Sequence, residues 1–88
     1  MEESLTKILV IEDENDIRES YVDMFRYFGY EVDDAANGIE ALSKLSQDSY
    51  DIVITDLNMP EMNGMEVLQR VKKLSPMTEV IVITGYAT

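Results

Sequence analysis

Tyr50-Asp-Ile-Val-Ile-Thr-Asp56-Leu-Asn-Met-Pro60-Glu-Met-Asn-Gly64 is the stretch on which the reading of this chain turns. A short run of strand-formers, Ile52 to Thr55, ends in a single carboxylate, Asp56. A loop punctuated by Pro60 and Gly64 follows, and a helical pattern then begins. An apolar run that delivers one charged group to its own end is how a buried parallel strand presents a reactive residue. The remaining sequence decides whether that aspartate has partners.

Working outward, Lys7-Ile-Leu-Val-Ile11 is a second continuous apolar run, too short for a typical helix and not alternating. It reads as a strand buried on both faces and ends in Glu12-Asp13. Asp16, with Glu19 three residues on, fits a capping box. Ile17, Tyr21, Met24, Phe25 and Phe28 then form one helical stripe, with Arg18, Glu19, Asp23 and Arg26 opposite and Gly29 as the stop. Tyr30 to Ala35 alternates with acids and suits an edge strand with one wet face. Asn37-Gly38 marks a turn into a second helix, whose stripe is Ile39, Leu42 and Leu45 with Ala41. Beyond the Asp56 loop, Met65 to Leu74 is predicted helical, facing inward through Val67, Leu68, Val71 and Leu74. Arg70, Lys72 and Lys73 suit its C-terminal dipole, and Pro76 ends it. Val80-Ile-Val-Ile83 reads as another doubly buried strand, closing on Thr84-Gly85.

The order β-α-β-α-β-α-β implies right-handed crossovers and a parallel sheet covered on both faces. At 88 residues, with no interior linker and no repeat, the chain is expected to be one domain over residues 1–88. Composition is that of a globular protein, 45% hydrophobic and 28% charged. The absence of cysteine excludes a disulfide framework and thiolate metal sites. No run reaches the roughly 18 apolar residues of a membrane span, and the acidic start has no basic n-region, so a cytoplasmic location is expected. A net charge of −11 argues against nucleic acid or anionic lipid as a direct partner.

In a sheet of this kind every strand's C-terminal end lies on one edge, and ligands bind where the strand order reverses. If the first and third strands are neighbours, Glu12, Asp13 and Asp56 meet there. Two unit charges 4 Å apart repel by about 4 kcal/mol at an effective dielectric near 20, and a divalent cation resolves that conflict. All-oxygen ligands without histidine or cysteine point to Mg²⁺, or Mn²⁺, and such hard cations usually work on phosphate. Thr84, on the same edge, offers a hydroxyl to a phosphoryl oxygen. Taken singly, each residue has a plainer reading: a strand-end Asp is usually a cap, a Glu-Asp pair a solvated loop, Thr84 a β-former. Their joint occurrence at three strand ends favours a site.

Other chemistries fall away. There is no P-loop and no dinucleotide fingerprint. Without histidine there is no Ser-His-Asp triad. Asp13-Glu-Asn15 and Asp56-Leu-Asn58 begin like calcium loops but do not continue as such.

These residues resemble the receiver domain of two-component response regulators. The resemblance runs from Lys7 to Thr88 and rests on Ile8-Leu-Val-Ile-Glu-Asp13, Gly29-Tyr30, Ala36-Asn-Gly38, Asp51-Ile-Val-Ile-Thr-Asp-Leu-Asn-Met-Pro60, Asn63-Gly64 and Ile83-Thr-Gly85. It implies a flavodoxin-like α/β fold with strand order 2-1-3-4. Asp56 would be the phosphoryl acceptor, fed by a sensor histidine kinase or a small phosphodonor. Asp13 and Asp56 would bind Mg²⁺ directly, Glu12 through water, and Asn58 by its backbone carbonyl. Thr84 would be the switch hydroxyl, while Asn58 and bulky Tyr86 would tune hydrolysis of the acyl phosphate. Such a protein is at most self-phosphorylating and autodephosphorylating at Asp56, not a conventional enzyme.

The family fold continues with a fourth helix, a fifth strand bearing an essential lysine and a switch aromatic, and a fifth helix. This sequence ends after the fourth strand, so a truncated receiver is expected. The exposed fourth strand would then drive self-association. Two other readings stand beside the phospho-acceptor. One is a scaffold that acts as a non-phosphorylated dimerisation or interaction module. The other is a haloacid-dehalogenase-like phosphatase, which would want a second Asp where Asn58 stands.

Overall fold

The computed structural model describes residues 5–84 and contains four parallel strands and three helices in strict alternation. They are β1 (Lys7–Ile11), α1 (Asn15–Tyr27), β2 (Glu31–Ala35), α2 (Gly38–Gln47), β3 (Ile52–Asp56), α3 (Gly64–Leu74) and β4 (Glu79–Ile83). The sheet order is β2-β1-β3-β4, as the resemblance to receivers implies. The chain steps from β1 to β2 on one side and from β2 over to β3 on the other, so the order reverses between β1 and β3. There Ile11 is level with Thr55, which brings the residues following β1 beside the end of β3.

Alternation along the strands makes two cores. Leu9, Ile11 and Val53 point to the face covered by α2 and α3, and pack with Ala41, Leu45, Val67 and Val71. Ile8, Val10, Val32 and Ile54 point to the opposite face, against Val22 of α1. Leu9, Val53, Val67 and Val71 are completely buried, each contributing about 1.5–3 kcal/mol by leaving water. Backbone and hydroxyl bonds fix the strand entrances. Glu79 N–H donates to Asp51 O, and the buried Thr78 hydroxyl to Tyr50 O at 2.7 Å. Tyr50 Oη donates to Asp33 Oδ2 at 2.6 Å, and burial together with that bond pushes its phenol above the ordinary tyrosine value.

One helix on one face and two on the other correct several expectations. In α1 the buried position is Val22, with Tyr21 and Phe25 partly covered, whereas Ile17, Met24 and Phe28 are exposed. The helix lies over the β1–β2 half of its face: Arg26 donates to Val32 O and Arg18 to Asp34, both on β2. Among the described residues no second helix covers the sheet beside its other flank. Arg18, expected in solvent, is largely buried, with a side chain 17% exposed. The predicted cap at Asp16 is also not used. The helix starts at Asn15, after an extended Glu14 that makes no side-chain cap bond, and Asp16 sits inside the first turn. Gly29, at φ +95°, ends the segment as expected.

In α2 the inward residues are Ala41 and Leu45, with Leu42 half-buried, while Ile39 points out at 61% exposure. Asn37 caps that helix by accepting from Glu40 N–H. In α3, Leu74 is exposed and Leu68 only partly covered. Its start is a reciprocal capping box: Asn63 accepts from Glu66 N–H, and Glu66 accepts from Asn63 N–H. β4 is an edge among the described residues, so it is not doubly buried. Val80, Val82 and Ile83 are partly covered, and Ile81 is 48% exposed.

Candidate functional site

The site forms where two strand ends and two loops meet. Glu12, the first residue after β1, is buried at 5% exposure, held by its N–H on Ala35 O and by the Glu14 N–H on its Oε2 at 3.0 Å. Asp13, next in sequence, is exposed. Asp56 closes β3 half-buried. One carboxylate oxygen from each of the three lies within 4.8 Å of the others. The predicted convergence is thus present. The cleft above it is walled by Ile17, Tyr21 and Ile83, with Asn58 at its rim.

Electrostatically this is a strained arrangement. Among the described residues no lysine or arginine forms an ion pair with any of the three carboxylates. Burial pushes the Glu12 carboxyl above its usual range, Asp13 and Asp56 push in the same direction, and the Glu14 amide opposes them. A cluster of hard oxygen donors with unbalanced negative charge fits a small divalent cation, and the chain has no histidine or cysteine to suit a softer one.

The loop that follows Asp56 is held tightly. Leu57 N–H donates to Ile83 O at 2.7 Å, and Leu57 O accepts from Gly64 N–H at 2.9 Å. Met59 and Met62 are buried anchors. Asn58 is exposed. Thr84 follows β4 on the same edge of the sheet and is exposed. Gly85 and Tyr86 lie outside the described residues.

Sequence reasoning missed the side chain that organises the acidic loop. Arg18 Nη1 donates to Glu12 O at 2.8 Å, Nη2 to Asn15 Oδ1 at 2.6 Å, and Nε to Asp34 Oδ2 at 3.2 Å. A signal existed. A cation in the first turn of a helix opposes the dipole by about 0.3–1 kcal/mol, which asks for an acceptor elsewhere.

The family model for the response regulator receiver domain matches residues 8–88. The chain belongs to that family. This receiver is 35% identical over 83 residues to the response regulator receiver protein CpdR of Brucella abortus, covering 94% of this chain and 69% of the relative. Among solved structures it is similar to the response regulator TrrA of Thermotoga maritima in complex with Mg²⁺-BeF, at TM-score 0.88 and 40% identity over 94% of this chain and 72% of that one. TrrA in complex with the histidine kinase ThkA is also similar, at TM-score 0.87 and 39% identity, covering 96% of this chain and 72% of that one. The four-stranded parallel sheet in order 2-1-3-4 with three helices is accordingly the flavodoxin-like receiver fold.

Proposed function

We propose that residues 1–88 act as one phospho-accepting receiver domain of two-component signalling, with Asp56 as the acceptor. The observation that carries this is the meeting of Glu12, Asp13 and Asp56 without a basic partner among the described residues. An Asp56 carboxylate oxygen attacks phosphorus in line. The O–P bond forms as the P–N bond of a phosphohistidine, or the corresponding bond of a small acyl phosphate, breaks; the leaving imidazole takes up a proton. Mg²⁺, or Mn²⁺, bound here supplies charge neutralisation for that transfer. Asp13 and Asp56 would hold it directly, Glu12 through water and Asn58 by its backbone carbonyl. Half-burial of Asp56 leaves the carboxylate reachable while Ile17, Tyr21 and Ile83 limit water around it. The Thr84 hydroxyl is the switch group for the phosphoryl oxygens.

The donor is a sensor histidine kinase, supported by the complex of the similar TrrA with its kinase, and the compartment is the cytoplasm. No helix of the described residues is long and apolar enough to cross a membrane. The test is incubation with Mg²⁺ and a small phosphodonor, followed by intact-mass measurement. The expected result is one added phosphoryl group, lost in Asp56→Asn; a parent chain that gains no mass overturns the reading.

A finer proposal concerns self-association through β4. Glu79 N–H and Ile83 O point to β3, so the backbone groups of Val80 and Val82 point the other way, where no described strand lies. The strand Glu79–Ile83 carries no proline, lysine or bulge to discourage pairing. Sedimentation of this chain is expected to show concentration-dependent dimers that Ile81→Lys disperses. A parent that stays monomeric at high concentration removes this proposal and leaves the phospho-acceptor reading untouched.

A further inference from the structure

We infer that Arg18 is a positioning residue for the acidic cluster, setting the geometry in which Glu12 and Asp13 receive a cation. The inference rests on the cation reading above and assigns a role to a residue that touches no proposed ligand atom. Its basis is where the three guanidinium bonds go. Nη1 holds the carbonyl of Glu12, Nη2 the side chain of Asn15 at the start of α1, and Nε the carboxylate of Asp34 on β2. One rigid, planar group thus ties together the end of β1, the first residue of α1 and the neighbouring strand.

The Glu12 carbonyl is the important contact. Glu12 N–H still belongs to the ladder, donating to Ala35 O at 3.2 Å, but β1 ends at Ile11 and the carbonyl of Glu12 is held by the arginine. That carbonyl lies in the same rigid peptide plane as the N–H of Asp13. Fixing its direction therefore fixes where the chain carries Asp13, whose own side chain is exposed. The Glu14 N–H then orients Glu12 Oε2 from the far side of the same loop. Asp34 sits opposite Val10 in the β1–β2 register, so the third bond references the loop to the sheet itself. Arg18 is in turn held over the loop by burial, at 17% side-chain exposure.

Charge alone gives the opposite expectation. A cation beside the cluster lowers its attraction for Mg²⁺, so removing Arg18 would tighten binding if the arginine acted only through its field. A positioning arginine predicts weaker binding on removal, and no rescue by lysine, whose ammonium cannot reach three acceptors in one plane. The test is titration of the intact chain with Mg²⁺ alone, followed by the amide resonances of Asp13 and Asp56, with melting curves recorded in parallel. Arg18→Lys and Arg18→Gln are expected to raise the Mg²⁺ dissociation constant about tenfold, as loss of groups supporting metal ligands commonly does. Asp34→Asn should shift it in the same direction by less. An arginine that merely stabilises the fold would lower the melting temperature and leave the dissociation constant alone. Unchanged or tighter binding in Arg18→Lys overturns the inference. If Arg18→Gln does not fold, Arg18→Lys and Asp34→Asn decide it. A parent chain that gives no response to Mg²⁺ overturns instead the cation reading on which the inference stands, so the two failures are told apart by the first titration.

Discussion

A hundredfold excess of Mg²⁺ over its dissociation constant is expected to raise the melting temperature of this receiver by roughly 10–20 °C. The reasoning is linkage. A ligand that binds only the folded chain at that excess stabilises it by about 2.7 kcal/mol, and a domain of this size moves by about 4–8 °C per kcal/mol. The folded state brings Glu12, Asp13 and Asp56 within 4.8 Å, a proximity the unfolded chain does not impose, so the ion discriminates strongly between the two states. The same repulsion predicts the variants. Without Mg²⁺, Asp13→Asn and Asp56→Asn each remove one of three crowded charges and should melt higher than the parent. With Mg²⁺ they should gain little, so the order of stabilities inverts.

Acidity gives an independent arm. The folded state raises the Glu12 carboxyl above its usual 4.5. That group's contribution to stability is complete below 4.5 and is lost as pH rises through the raised value. Ion-free protein should therefore lose Glu12's share of stability across that window, and Mg²⁺ should restore it above the window, where the carboxylate is free to face the ion. Identical melting curves in Mg²⁺ and in chelator at neutral pH would remove the cation from this site.

What the sequence could and could not convey follows from the range of each interaction. Continuous runs such as Ile8–Ile11 and Ile52–Thr55 announce strands covered on both sides, and a parallel sheet forces their ends to one edge. The meeting of Glu12, Asp13 and Asp56 was therefore legible on the condition that the first and third strands are neighbours, which the resemblance to receivers implied. The direction of a helix's apolar stripe was not, because it depends on how many helices share a face. Alone on its face among the described residues, α1 leaves Ile17 and Met24 exposed and uses Val22, a residue outside the predicted stripe. Ile39 similarly satisfies the periodicity of α2, yet Ala41 and Leu45 take the core. Arg18 looked like a solvated cation because two of its three acceptors are a backbone carbonyl and a carboxylate sixteen residues away. Pattern reading weighs side-chain polarity along one helix and has no means of finding either.

Gly64→Ala is expected to destabilise the protein by about 1–3 kcal/mol and to weaken the acidic site around Asp56 with it. The substitution puts two effects in opposition. Gly64 is the first residue of α3, and alanine in a helix is favoured over glycine by up to about 1 kcal/mol, which alone would make the change stabilising. Space decides against it. A β-carbon at Gly64 would lie 2.6 Å from Asp56 O and 2.9 Å from Leu57 Cα, both backbone atoms that cannot swing aside, and 3.1 Å from a methyl of Val82. Relief requires α3 to move off the end of β3, which stretches the Gly64 N–H bond to Leu57 O and unseats Val67 and Val71 from the core. Gly38→Ala is the informative control, since its β-carbon would meet side chains and no backbone atom: the thioether of Met62, which is flexible, and a methyl of Val67 at 3.1 Å. The expected order is a large drop in melting temperature for Gly64→Ala and a small one for Gly38→Ala. Because the clash is with the carbonyl of Asp56 itself, Gly64→Ala should also lose Mg²⁺ affinity at temperatures where it remains folded. A Gly64→Ala protein with parental stability and parental Mg²⁺ affinity would mean that the end of β3 and α3 are not held in the contact described, and that Asp56 owes its position to β3 alone.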